Sequence, residues 1–229
     1  MTVGIIGAMP SELHDIREIL DSGATEIQEY SGFKFYINCT EKVKTVNACC
    51  GIAKVNAALC TQVLIDHFSP DYIINAGIAG GMHTDVHVCD VVIANNVCPH
   101  DLDLRFLRNY PPYHDIFETD EKLIKLTTET CDEFKVKWHI GRIVSGEVFL
   151  EDAVLKKQIS EKFSPYAIDM ESAAVGHCCY LNKTPFVTIR CISDNADDSA
   201  AMSFDEFEKI AAKQVAEIVL SVVGKLGAK

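Results

Sequence analysis

The chain has 229 residues, 48% of them hydrophobic and 24% charged, with a formal net charge of −12. That length fits one domain with a substantial core, and the acidic balance argues against nucleic acid and anionic membrane surfaces, which need clustered Lys and Arg. No apolar stretch approaches the roughly 20 residues of a membrane-spanning helix, and the opening MTVGIIGAMPSELHD lacks the basic start of a signal peptide, so a soluble cytoplasmic protein is expected.

Thr2 to Ala8 is a short apolar run that reads as a buried strand closed by Gly7. Pro10 to Leu20 carries Leu13, Ile16, Ile19 and Leu20 at helical spacing, with a proline suited to the first turn. TEIQEYSGFKFYINCT alternates about Ser31-Gly32 as a hairpin, VKTVNACCG follows as a strand, and a helix is predicted from about Ile52 to Phe68. Asp71 to Gly77 is a second buried strand, predicted to end in the glycine-rich turn GIAGG. CDVVIANNV is another strand, and the long segment from about Asp101 to Thr119 reads as a functional or interface loop. A helix from Asp120 to Phe134, the strand HIGRIVSG, a helix through DAVLKKQIS, the short strand YAIDM and a helix through ESAAVGHCCYLN come next. The chain closes with a strand from Phe186 to Ser193 and a helix from Phe204 to about Leu226, for which Ser203 and Glu206 form a capping box. Apolar strands alternating with helices give an α/β fold, with a mixed, mostly parallel central sheet flanked by helices. No linker or repeat divides the chain, so residues 1–229 are read as a single domain.

Ten cysteines are scattered without a C-x-x-C pair, most of them in apolar segments. Zinc at His177-Cys178-Cys179 is the weaker reading, because adjacent helical residues point in different directions. Buried thiols acting as small hydrophobes explain the pattern better, and neither a metal nor a cofactor is expected.

In open α/β sheets ligands collect at the carboxyl ends of strands. Glu12, Asp169, Glu171 and Asp194 all follow strand ends, as do the glycine turns at Gly77 to Gly81 and Ser145-Gly146. For any one of these acids, helix-end or turn capping is the commoner role. Arg190 in FVTIRCI is different, because a buried guanidinium is rarely left unpaired. Strand alternation places 190, 192 and 194 on one face, so Arg190 and Asp194 are expected to line one cavity. Converging carboxylates around a buried Arg make a candidate catalytic site. The glycine segments match neither G-x-G-x-x-G nor a Walker loop, so nucleotide-cofactor binding is not expected.

VGIIGAMPSE, IINAGIAGG, VSGEVF, IDMESAAV and RCISDNADD with MSFDEF resemble, in order and spacing, the bacterial 5′-methylthioadenosine/S-adenosylhomocysteine nucleosidases of the nucleoside phosphorylase superfamily. The resemblance runs from residue 3 to about residue 222 and implies a nucleoside phosphorylase-like fold. It implies a catalytic set in which Glu12 activates water, Glu171 binds the ribose hydroxyls, Asp194 protonates adenine N7, and Arg190 lies near the water. It also implies that Phe149 stacks on adenine, the Leu150 backbone meets the base edge, Ser193 orients Asp194, and Met170 lies under the ribose. Met9 and Phe204 line the 5′-alkylthio pocket. The family implication includes a homodimer whose partner lends residues near Phe106, Leu107 and Pro112. Two positions depart from the pattern: Ile78 stands in the substrate site where serine is common, and Asp169 where Glu is common. The chemistry suits cleavage of an N-glycosidic bond through an oxocarbenium-like transition state, with an acid assisting departure and a carboxylate activating water. Nucleosidases for 6-amino-6-deoxyfutalosine or 5′-deoxyadenosine, a phosphate-dependent phosphorylase and a non-catalytic nucleoside binder are the alternatives.

Overall fold

The computed structural model describes residues 1–20, 26–197 and 200–228, apart from the side chains of residues 201–203 and 205. Its first strand, β1 (Thr2–Gly7), is buried from its second residue onward and leads into α1 (Pro10–Leu20), which turns Leu13 and Ile16 inward. The hairpin β2 (Glu26–Tyr30) and β3 (Phe33–Cys39) turns at Ser31-Gly32, where both residues have positive φ. β4 (Lys44–Cys49) pairs with β3 and with β1, and α2 (Lys54–Phe68) follows.

β5 (Tyr72–Gly81) corrects an expectation, since the chain stays extended through Gly77-Ile78-Ala79-Gly80-Gly81 instead of turning there. The glycines are needed for close approach. A Cβ at Gly80 would lie 2.8 Å from that of Ala196 and 2.9 Å from Asp194 Oδ1, well inside van der Waals contact. β6 (Val91–Pro99) follows. The segment read as one long loop contains a short helix, α3 (Leu104–Asn109), and a two-residue strand, β7 (Phe117–Glu118). α4 (Glu121–Phe134) is capped by Asp120, whose side chain accepts the Leu123 N–H at 2.9 Å. β8 (Trp138–Ser145), α5 (Ala153–Phe163), β9 (Ala167–Asp169), α6 (Ser172–Asn182) and β10 (Phe186–Asp194) complete the alternation. The last helix, α7 (Ala200–Gly227), starts earlier than expected, so Ser203 lies inside it and is not its cap; the Ser203 side chain is outside the described residues.

The strand order is β10-β6-β8-β9-β5-β1-β4-β3-β2, with β7 beside β6 and a further pairing of β10 with β5. That last pairing closes β10, β6, β8, β9 and β5 into a ring, and β1, β4, β3 and β2 extend from it as a wing. The sheet is mixed: β1–β4, β1–β5, β5–β10, β6–β8 and β8–β9 are parallel, whereas the hairpin pairs, β5–β9, β6–β7 and β6–β10 are antiparallel. α1, α4 and α7 cover one face, where Val215, Ile218, Val219 and Val222 pack on Ile74, Ile93 and Ile189. α2 and α6 cover the other, around Leu64, Val175, Ile73 and Phe186. Both faces of the central strands are therefore buried, which is why their sequences read as unbroken apolar runs. The carboxyl ends of the parallel strands β1, β5 and β10 share one rim, and the short antiparallel β9 meets β5 there at Gly80 and Gly81. Among the described residues no helix is long and apolar enough to cross a membrane.

Candidate active site

Glu12 stands in the first turn of α1, where a carboxylate complements the helix dipole, but its contacts go beyond that. Its Oε2 accepts the backbone N–H groups of Ala8 at 2.7 Å and Met9 at 2.9 Å, and its Oε1 accepts that of Ile78 at 3.0 Å. The side chain is buried, and burial raises its proton affinity, while the Arg190 charge and the three N–H donors pull it down. A Cβ at Gly77 would overlap Glu12 Oε1 and lie 3.0 Å from Arg190 Nη1, so the first carboxylate and the guanidinium both approach the space that a glycine leaves open.

Arg190 does not pair with Asp194. Its Nε donates to Asp169 Oδ2 at 2.9 Å, and Nη1 has no partner among the described residues. Strand alternation fails as a guide here because the register of β10 against β5 shifts between Ile192 and Asp194. Burial works against the Arg190 charge, but Asp169, Glu12 and Glu171 more than offset it and hold its proton affinity above the usual range. Asp169, the shorter acid, therefore does reach across to β10.

Glu171 precedes α6, and its Oε1 accepts the Ala53 N–H at 2.9 Å. Burial first, and the Asp169 charge second, push its carboxyl up to about 7. Asp194 ends β10. Its Oδ2 accepts the Ser193 hydroxyl at 2.8 Å and its Oδ1 the Ala196 N–H at 2.7 Å, and burial raises its proton affinity. Ser193 thus sits where an orienting hydroxyl is expected.

Glu12, Glu171, Asp194 and Ser193 line one cleft, with Met9, Ile78, Met170, Phe149 and Phe204 as its apolar walls. Leu150 lines an adjoining lobe with Phe149, Met170 and Asp194. Phe149 meets Phe204 edge to face, with ring centroids 5.6 Å apart. All the predicted site residues converge on this region, and Arg190 lies behind the cleft wall. The sequence reading missed Ala53 as a donor, and the only signal for it was its position two residues after Gly51. Among the described residues the one group with metal-ligating spacing is His14, Asp15 and Glu18, two of them exposed and none in the cleft. His177, Cys178 and Cys179 form no such group.

The family model of the phosphorylase superfamily matches residues 2–224. The chain is 38% identical over 232 residues to the 5′-methylthioadenosine/S-adenosylhomocysteine nucleosidase of Bacillus velezensis, covering 99% of this chain and 100% of the relative. The chain belongs to this nucleosidase family. The Bacillus subtilis enzyme of the same name is also 38% identical, with the same coverage. Among solved structures, the Neisseria meningitidis nucleosidase in complex with methylthio-immucillin-A has a TM-score of 0.92 at 35% identity, covering 98% of this chain and 99% of that one. A futalosine hydrolase of Helicobacter pylori superposes with a TM-score of 0.92 at 30% identity, over 98% of each chain. Family membership agrees with the ring topology and with a cleft at the rim of β1, β5, β9 and β10.

Proposed function

We propose that the protein hydrolyses the N-glycosidic bond of 5′-methylthioadenosine and S-adenosylhomocysteine, releasing adenine and the 5′-thioribose product. Adenine stacks on Phe149, with the Leu150 backbone at its edge, and Asp194 donates a proton to N7 as the bond to C1′ breaks. A buried carboxyl with raised proton affinity suits that donor role. Glu12 takes a proton from the attacking water, and the oxygen adds to the oxocarbenium-like carbon. Glu171 accepts hydrogen bonds from the ribose hydroxyls, with Met170 beneath the sugar. Met9 and Phe204 give the 5′ substituent an apolar seat.

The observation that favours water over phosphate as nucleophile is the occupancy of the backbone amides. Phosphate needs a cradle of N–H groups or cations, yet the N–H groups of Ala8, Met9 and Ile78 all point at Glu12. A second anion there meets a carboxylate instead of donors. Adenine release from methylthioadenosine, measured with and without phosphate, tests the reading. Equal rates are expected, and phosphate dependence would overturn it. Asp194→Asn is expected to lose turnover, and full activity in that variant removes the acid role. Rates on a panel of 5′-substituted adenosines rank the methylthio, homocysteinyl, deoxy and futalosine-type substrates.

The proposal includes a homodimer in the cytoplasm. Val55, Leu59 and Leu181 are 66%, 55% and 60% exposed and, with Leu102, Leu107 and Phe117, line an apolar hollow between α2, α6 and the α3 segment. A contiguous apolar patch of this kind marks an association surface. Sedimentation of the protein beside Leu59→Glu measures it, with dimer and monomer as the expected pair. All ten cysteines are free thiols, as suits a reducing compartment.

A further inference from the structure

Asp169 is saturated with donors. Its Oδ1 accepts the Ser145 hydroxyl at 2.5 Å and the backbone N–H groups of Glu171 at 3.3 Å and Ser172 at 3.2 Å. Its Oδ2 accepts the Ser172 hydroxyl and Arg190 Nε. Ser145 is fixed in turn, since its oxygen accepts the Ala173 N–H at 2.8 Å. Side chains from the end of β8 and the start of α6 thus clamp a carboxylate at the end of β9, and that carboxylate grips the guanidinium of β10.

A buried ion pair is weak evidence for a stabilising role, because desolvation offsets most of the attraction. What a purely structural pair does not explain is the direction of the remaining donor. Arg190 is 2% exposed, and its Nη1 is unpartnered and lies over Gly77, the same point that Glu12 Oε1 overhangs. The guanidinium is held by one edge and presents the other toward the water-activating carboxylate.

We propose that Asp169 is a positioning residue for the hydrolysis, fixing Arg190 so that Nη1 faces Glu12 and holds that carboxylate charged and in place. This rests on the reading of Glu12 as the group that activates water. Asp169 borders the cleft, but both its oxygens are taken by protein donors, so it acts through Arg190. Its effect therefore falls on turnover and not on nucleoside affinity, because Arg190 Nη1 lies beside Gly77 on the side of Glu12, at the attacking end of the cleft.

The test measures kcat and KM for methylthioadenosine and the Kd for adenine in Asp169→Asn, Arg190→Met, the double variant and Glu12→Gln. Asp169→Asn is expected to lower kcat about 10- to 100-fold, with KM and adenine Kd within about twofold of the parent. In the Arg190→Met background the same substitution is expected to cause no further loss beyond about twofold, because the two act as one unit. Unchanged kcat, a loss carried in KM alone, or losses that multiply in the double variant each overturn the proposal. Should Asp169→Asn not fold, Arg190→Lys carries the same expectation, since it keeps the charge and gives up the Nε contact. Full kcat in folded Arg190→Lys overturns the positioning role. An inactive Glu12→Gln beside a fully active Asp169→Asn overturns only that role, whereas a fully active Glu12→Gln removes the premise and the proposal with it.

Discussion

The Ala53 N–H donates to Glu171 Oε1 at 2.9 Å, tying the start of α2 to the start of α6 across 118 positions of chain. Ala53 makes that contact at φ 82° and ψ 161°, a conformation that costs a non-glycine residue about 1–3 kcal/mol. Glycine at this position would cost about 0.5–1 kcal/mol through its freer unfolded chain. Ala53→Gly is therefore expected to stabilise the protein by about 1 kcal/mol. Urea unfolding of the two proteins measures it, and an unchanged or lower midpoint contradicts the strain at Ala53.

Gly77 and Gly224 should respond to alanine in opposite ways. At Gly77 the new methyl would overlap Glu12 Oε1 and crowd Arg190. A shift of about 1 Å in a reacting group costs on the order of 100-fold in rate, so Gly77→Ala is expected to lose that much kcat. At Gly224, exposed on α7, nothing lies within 4 Å of the added carbon, and alanine is expected to stabilise the helix by about 0.5–1 kcal/mol. Paired kcat and unfolding measurements separate the two. A Gly77→Ala enzyme with parental kcat contradicts the close approach over that residue.

Much of the fold was legible because its strands are buried on both faces and its helices carry one apolar stripe. Leu13 and Ile16 placed α1 from Pro10 to Leu20, and the structure keeps those bounds. Gly77, Gly80 and Gly81 misled, since a glycine chosen for close approach looks in sequence like one chosen for a turn. The expectation that Arg190 and Asp194 line one cavity misled for a related reason. Period-two alternation assumes an even register, and β10 shifts against β5 just before Asp194, so Asp194 lines the cleft while Arg190 lies behind its wall. The cleft residues were legible as strand ends plus a family resemblance, with Ile78 contributing its backbone N–H whatever its side chain. Ala53 was not legible, because its role is carried by an N–H and a positive φ that its identity disfavours.

Glu171 sets a pH dependence. In the proposed mechanism the ionised carboxylate binds the ribose hydroxyls, yet in the free enzyme burial and the Asp169 charge hold Glu171 up to about 7. The kcat/KM, which reports the free enzyme, is therefore expected to rise through about pH 7. In kcat the limb should lie lower, because donors bound to the carboxylate favour its charged form. Initial rates across pH check both parts. A kcat/KM with no limb near neutrality contradicts the buried, charged environment of Glu171.

The same displacement makes a stability prediction with a definite sign. A carboxyl whose folded-state value is raised from 4.5 to about 7 binds its proton more tightly when folded. Its contribution favours folding fully below 4.5 and is lost as pH rises through about 7. Above that the folded state carries the cost of a buried negative charge, on the order of 3 kcal/mol. Glu171→Gln removes the charge and keeps an acceptor for the Ala53 N–H. It is expected to be more stable than the parent at pH 8, with the gap closing by pH 5, while losing the ribose contact and most turnover. Urea unfolding at the two pH values measures the gap. A gap of equal size at both would place the difference in packing, since only the charge on residue 171 changes between those conditions in the parent and not in the variant.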